Sequence, residues 1–273
     1  DKYKVPRVCF INKLDRMGAS FQKSFDSILQ RLTPHVVAVT IPVGLESDFR
    51  GIIDLVRLKQ IEFSGEHGEK ISESEIEPAF KEEAESWRAT LVERVAETDD
   101  ILMEKYLVGG EISTDELRAA LRKATLAYRL IPVFCGSALK NKGVQILLDG
   151  VIDYLPGPLD IPPVVGHDPK TDEEITRPAD DKAPFAALAF KLQTDPYVGQ
   201  LTYFRVYSGM LEAGSYVLNA TKGEKERVGR ILRMHANDRE EVKEIFAGEI
   251  GALVGMKNTS TGDTLCSADA PII

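Results

Sequence analysis

Nowhere in these 273 residues does a lysine directly follow a glycine, and the chain holds only three cysteines, four histidines and one tryptophan. Without a Gly-Lys pair there is no G-x-x-x-x-G-K-[ST] loop, so the usual backbone cradle for nucleotide phosphates is excluded from this stretch of sequence. Cys9, Cys135 and Cys266 lie far apart and follow no metal spacing, and the histidines are equally scattered, so no metal site is expected. Cys9 and Cys135 fall in apolar, strand-like runs and read as buried free thiols of a reducing compartment. No apolar run approaches the ~18 residues of a membrane span, and no basic leader precedes an apolar core, so a cytoplasmic protein with no membrane partner is expected. The chain does not begin with Met and opens close to a strand, and is expected to be a piece of a longer protein.

What is present is ordinary globular composition, 43% hydrophobic and 28% charged, with length enough for two domains. The net charge of −9 is unevenly spread. Glu62 to Glu116 hold 17 acidic against 5 basic residues, a local balance of −12, which leaves about +3 for the rest. A nucleic-acid surface needs the opposite sign, and DNA is not an expected partner. The acidic stretch reads either as a solvated face or as a protein-binding one.

Residues 20–32 carry Phe21, Phe25, Ile28 and Leu32 at helical spacing, with Ser20 as a candidate N-cap. His35 to Ile41 reads as one buried parallel strand, and 51–56 and 59–63 as strands of a smaller unit before a Gly65–Gly68 turn. Ala84, Trp87, Leu91 and Val95 mark an amphipathic helix, with the lone Trp87 in a core role. Ser113 and Glu116 form a capping box ahead of a shorter helix carrying Leu117, Leu121 and Ala124. Ile131–Cys135 reads as a buried strand, followed by a loop and a helix whose apolar face is Val144, Leu147, Leu148, Val151 and Leu155. Prolines from Pro156 to Pro163 stop that helix. The order strand, loop, helix, strand, insertion, strand, loop, helix predicts a partial α/β sheet with an α+β insertion at about 42–125, within a first domain of residues 1–160. A linker over 161–183 leads to a small antiparallel β-barrel at 184–273, signalled by alternating strands such as Leu201–Tyr207 and Ile250–Met256.

Asn12-Lys13-Leu14-Asp15 follows the apolar run Val8–Ile11 and fits the N-K-x-D signature of guanine recognition. Guanine presents N1–H and an exocyclic amine side by side, and the Asp15 carboxylate accepts from both, a pair of donors that adenine lacks. Asn12 then ties neighbouring loops together, while the Lys13 stem lies on the ring. Ser137-Ala138-Leu139 follows the next buried strand, as a second loop whose backbone N–H meets guanine O6 and whose Leu139 covers the other ring face. In α/β sheets ligands bind at loops leaving the carboxyl ends of strands, and both loops hold that position. The D-x-x-G matches at Asp15–Gly18 and Asp48–Gly51 are accidental, because a metal-linked switch motif must precede N-K-x-D. No catalytic residue and no metal ligand is therefore expected within this chain. The acidic residues of 62–116 alternate with Lys and Arg on helix exteriors, which excludes a glycosidase pair. Arg227, Arg230, Arg233, His235 and Arg239 form one basic concentration, either a solvated face or a surface meeting RNA phosphates.

The sequence resembles bacterial translation elongation factor G over essentially its whole length. The segments that carry the likeness are Phe10–Ala19, Asp48–Leu55, Ala96–Asp99, Cys135–Gln145, Asp153–Pro156, Gly199–Gly209, Arg233–Asn237 and Thr261–Leu265. The resemblance implies the C-terminal part of a P-loop GTPase domain with its inserted subdomain, followed by the barrel called domain II. It implies a ribosome-dependent GTPase of tRNA–mRNA translocation that uses GTP or GDP with Mg²⁺ in the intact protein. The implied partners are ribosomal RNA for the barrel and the ribosomal stalk protein for the acidic helices. The family's guanine-reading positions fall on Asn12, Lys13, Leu14, Asp15, Ser137, Ala138 and Leu139. The phosphate loop, the switches and three further domains have no counterpart, so no tightly bound nucleotide and no hydrolysis are expected of this chain alone. The competing readings are a non-catalytic ribosome-binding module and a related ribosome-protection or release-factor GTPase.

Overall fold

The computed structural model describes residues 3–196, 198–236 and 238–273; Asn237, which ends one of the segments quoted above, lies outside them. The chain divides into two compact units, Asp1–Pro156 and Gly157–Ile273.

In the first unit β1 (Cys9–Ile11) leads to α1 (Phe21–Arg31), β2 (Val36–Ala38), β3 (Thr40–Val43), β4 (Gly51–Asp54), β5 (Lys59–Ser64) and β6 (Lys70–Ser74). Then follow α2 (Pro78–Ala96), α3 (Asp100–Leu107), α4 (Thr114–Leu126), β7 (Ile131–Cys135) and α5 (Val144–Tyr154). β7 runs parallel to both neighbours in a sheet of order β1-β7-β2. It is buried throughout, as a central strand covered on both faces must be. The register Ile11↔Cys135 aligns the ends of β1 and β7, so the loops after them leave the same sheet edge.

The stretch 35–41, read as one strand, is shared between two sheets. Val36–Ala38 joins β7, while β3 pairs antiparallel with β4 in a sheet of order β3-β4-β5-β6. Val39 is the joint: its N–H donates to Val133 O at 2.8 Å, and its carbonyl accepts from Leu55 N at 2.9 Å. Two elements were not expected. β6 is exposed at every residue, and α3 is a short helix capped by Asp99, whose side chain accepts from Leu102 N at 3.2 Å.

Ser20 caps α1 by accepting from Lys23 N at 3.3 Å. Phe21 and Phe25 then bury their rings edge-on against Trp87 of α2, with centroids 5.6 and 5.1 Å away. In α4 both bonds of the capping box between Ser113 and Glu116 form. The reading of α5 is corrected: Leu148 and Val151 are exposed, and the buried residues are Gly150 and Tyr154. A Cβ on Gly150 would lie 2.2 Å from Phe134 Cζ, so the helix meets the sheet through its glycine, too close for a leucine seam.

The second unit opens with a hairpin, β8 (Val164–His167) and β9 (Glu174–Arg177), inside the stretch read as a linker. The acidic residues there make its turn, with Asp168 Oδ1 accepting from Lys170 N at 2.7 Å and Thr171 N at 3.2 Å. The hairpin also pairs with the last residue, His167 and Ile273 exchanging both backbone bonds at 2.8 and 2.9 Å.

Next come β10 (Ala186–Asp195), β11 (Gly199–Ser208), β12 (Met210–Glu212), β13 (Tyr216–Asn219) and β14 (Glu224–Arg227). β15 (Arg230–His235), β16 (Asp238–Val242), β17 (Glu244–Phe246), β18 (Ile250–Val254) and β19 (Thr264–Cys266) complete the chain. Eight strands form one antiparallel sheet, ordered β14-β13-β19-β10-β11-β18-β15-β16, and β12 pairs with β17. Phe204, Val206, Ile231, Leu253 and Leu265 of the sheet share one core with Leu211 of β12 and Ile245 of β17. The small ladder thus covers the core that the curled sheet encloses.

Candidate functional site

The loop after β1 is pinned by its one apolar member. Leu14 is 1% exposed, and its N–H donates to Gly136 O at 3.2 Å. With Leu14 turned inward, Asn12 and Lys13 stand exposed and Asp15 half-buried. Lys13 adopts a positive φ of 66°, a conformation uncommon for a residue with a side chain and held here by the bonds around it. Asn12 Oδ1 accepts from its neighbour Lys13 N at 2.8 Å and from Ala138 N at 2.9 Å, which joins the two loops.

The loop after β7 is a tight structure of its own. Ser137 is buried and exchanges both backbone bonds with Lys142 at 2.9 and 3.0 Å; Ala138 O accepts from Asn141 N at 3.1 Å. Leu139 stands at the tip, 82% exposed. Gly136 allows the loops to meet: a Cβ there would lie 2.2 Å from Lys142 O and 2.9 Å from Phe10 Cζ. The seven residues singled out from sequence are therefore neighbours along one edge, with five facing outward and Leu14 and Ser137 serving as anchors.

Sequence reasoning missed three residues that shape this edge. Glu46 donates its N–H to Leu14 O at 2.8 Å and accepts from Gly18 N at 2.7 Å, closing the far side of the Asn12 loop. Lys142 Nζ donates to Phe49 O at 2.9 Å. Gly136 carried a signal, a glycine between a strand and small residues; nothing in the sequence marks Glu46. Behind the loops, Thr40 Oγ1 accepts from Cys135 N at 2.9 Å, and burial pushes the Cys135 thiol up to about 12. A shallow cavity of about 450 Å³ opens beside Asn12, bounded by Phe10 and Ile11 and by Lys23, Ser24 and Ile28 of α1.

The arrangement offers a carboxylate, a cationic stem, an exposed apolar tip and backbone amides along one edge, a set suited to a planar base with adjacent donors. Comparison with known proteins gives the family. Residues 1–157 match the family model described as the elongation factor Tu GTP binding domain, and residues 184–268 that of elongation factor G domain 2. This chain is a member of the translation-factor GTPase family. Guanine nucleotide binding is the family's property at the first of these domains. A crystal structure of a Thermus thermophilus protein superimposes with a TM-score of 0.78 at 25% identity. The match covers 99% of this chain and 37% of that one, so this translation-factor chain spans little more than a third of the length of its structural relative.

Outside the loops, two predicted clusters resolve differently. In the acidic stretch, Glu62 and Glu77 pair with Arg50, Glu73 with Arg57 and Glu116 with Lys105, whereas Glu82, Glu83, Glu93, Asp100 and Glu104 have no cation within reach among the described residues. Most of the basic concentration of the barrel is paired: Arg230 with Glu241 (3.6 Å), Arg233 with Glu240 (3.7 Å) and Glu249 (2.7 Å), and Arg239 with buried Asp195 (3.0 Å). No group of three or more His, Cys, Asp or Glu is placed to hold a metal ion, and no helix is long and apolar enough to cross a membrane, among the described residues.

Proposed function

We propose that this chain carries the base-recognition part of the nucleotide site, and the second domain, of an elongation factor G-type GTPase that works on the ribosome in tRNA–mRNA translocation. The observation that carries the reading is the bond from Ala138 N–H to Asn12 Oδ1, which sets two guanine-type loops side by side. The order of the two family matches, a GTP-binding domain and then an elongation factor G domain 2, supports it.

In this reading Asp15 accepts from guanine N1–H and the exocyclic amine in two charge-assisted bonds. The Lys13 stem and Leu139 lie on the two ring faces. The Leu139 N–H, which has no partner among the described residues, donates to O6, while the Ala138 N–H is spent on holding Asn12. Phosphates and Mg²⁺ are assigned to other parts of the intact protein, since this chain supplies no Gly-Lys phosphate loop. A bound ion would neutralise charge on the phosphates there, and this chain's contribution is base choice and orientation. Residues of about 42–125, between β2 and β7, form the inserted subdomain, and the unpaired carboxylates of α2 and α3 face a basic partner such as the ribosomal stalk protein.

The test is base preference. Asp15→Asn in the intact protein should weaken GTP and favour xanthine nucleotides, whose C2 oxygen replaces the amine and suits an amide donor. Competition binding with GDP, XDP and ADP reads this directly, and an unchanged preference rejects the role given to Asp15.

A further inference from the structure

Two arginines of the second unit take no part in the guanine reading. Arg177, at the end of β9, is 9% exposed, and Arg205, in β11, is half-buried. Both line one groove of about 130 Å³, with Pro158, Pro162, Pro163 and Tyr207 among its walls and no carboxylate in its lining. Arg177 spends its terminal nitrogens on two neutral carbonyls, Thr176 O at 3.3 Å and Ala270 O at 3.2 Å. The Arg205 guanidinium lies over the Tyr207 ring, 5.2 Å from its centroid. In each arginine the Nε–H is buried and has no acceptor.

That combination is unusual. Buried guanidinium donors are normally satisfied, and buried charges are normally paired. Neither arginine has a carboxylate within ion-pair distance among the described residues, whereas Arg230, Arg233 and Arg239 of the same unit all do. Proline walls bring no N–H of their own and keep the groove apolar around the two charges, where electrostatic attraction is strongest. The guanidinium fork suits oxyanions, which accept from several donors at once.

We propose that this groove is an oxyanion site that takes one phosphate-sized group between Arg177 and Arg205. The groove, of about 130 Å³, has room for a small oxyanion beside the two guanidinium groups. Inorganic phosphate and the terminal phosphate of a larger molecule share this chemistry. The terminal nitrogens of Arg205, which have no protein acceptor among the described residues, supply the bonds, and Tyr207 holds the Arg205 plane in place.

Titration of the 273-residue chain with inorganic phosphate, and separately with ribose 5-phosphate, at ionic strength fixed with chloride tests this. The readout is the Nε–H resonances of arginine by ¹H–¹⁵N NMR. Saturable shifts of two such resonances are expected. Arg205→Gln should raise the dissociation constant at least about tenfold, the loss of one charge-assisted bond, while Arg230→Gln, whose side chain is paired with Glu241, should leave it unchanged. Equal affinity for both probes identifies a terminal phosphate as sufficient, and a preference for the inorganic ion identifies a free anion. Shifts that grow linearly and match those of added chloride, or a constant unaffected by Arg205→Gln, overturn the proposal. Should Arg177→Gln fail to fold, the wild-type resonances and Arg205→Gln decide the matter.

Discussion

The side-chain oxygen of Asn12 and the amide nitrogen of Ala138 meet at 2.9 Å across 126 positions of sequence. Removing that oxygen strands two amides, those of Lys13 and Ala138, at an edge reached by solvent. Asn12→Ala should therefore lower the free energy of unfolding by about 1 kcal/mol, the net worth of a hydrogen bond whose donors can rehydrate. Urea unfolding with an unchanged m-value is the measurement. In the intact protein the same change should weaken guanine nucleotides more than it weakens the fold, because the Ala138 loop loses its position.

Gly136 is a stricter requirement. A methyl group there meets the carbonyl of Lys142 at 2.2 Å, and that carbonyl is fixed by its bond to Ser137 N at 2.9 Å. Backbone cannot swing aside as a side-chain end can. Gly136→Ala should cost about 1–3 kcal/mol, the range for overpacking, and widen the gap between the loops. Loss of protection at the Ala138 and Lys142 amides in hydrogen exchange would report it locally; unaltered exchange there would count against this account of the loop.

How much of this was legible in the sequence follows from the range of each interaction. The caps Ser20 and Ser113, and the strand Ile131–Cys135, rest on residues within four positions of one another or on one buried run, and they read directly. α5 misled because apolar residues on two faces look alike, and only the 2.2 Å approach of Gly150 to Phe134 shows which face is inside. The hairpin Val164–Arg177 looked like a linker because its acidic turn residues also suit loops. In the site, residue types at Asn12–Asp15 and Ser137–Leu139 were legible; Glu46 was not, since its partners Leu14 and Gly18 lie in a different element. The pairing of Arg239 with Asp195, 44 residues apart, was equally invisible.

Thiol reactivity follows from burial. Cys135 is fully enclosed and its thiol is pushed up to about 12, Cys266 is buried and raised by desolvation, and Cys9 is only partly covered. Because the thiolate is the reactive form, a disulfide reagent at about pH 8 should modify Cys9 ahead of the others, with Cys135 reacting only as fast as the chain opens. Rapid labelling of Cys135 in Cys9→Ser would contradict the buried contact with Thr40.

Glu116 gives a pH dependence of definite sign. Hydrogen bonds from Lys105 and Ser113 hold its carboxyl at about 2, below the ordinary 4.5. A carboxyl depressed on folding stabilises the native state above its unfolded pKa, and that contribution is lost as the pH falls from about 4.5 toward 2. The stability difference between the wild type and Glu116→Gln should therefore be constant above about pH 5 and shrink on acidification through that window. A difference that instead grows with acid would mean that the ionised capping box is not what Glu116 contributes.

Arg230, Arg233 and Arg239 of the barrel each face a carboxylate, and Asp195, the partner of Arg239, is itself buried. An arginine already neutralised by a carboxylate must break that pair before it can displace cations from RNA. Four free arginines at Arg227, Arg230, Arg233 and Arg239 would release about three ions on binding single-stranded RNA, at roughly 0.7 per phosphate; the paired arrangement leaves Arg227 and predicts a slope near one. The slope of log affinity against log salt, measured with a short oligoribonucleotide by fluorescence anisotropy, distinguishes the two. Arg227→Gln should then abolish most of the salt dependence, and Arg230→Gln with Arg233→Gln should leave it nearly intact. A slope of about three that collapses in the latter double variant would show that RNA phosphates compete successfully with Glu240, Glu241 and Glu249 for this face.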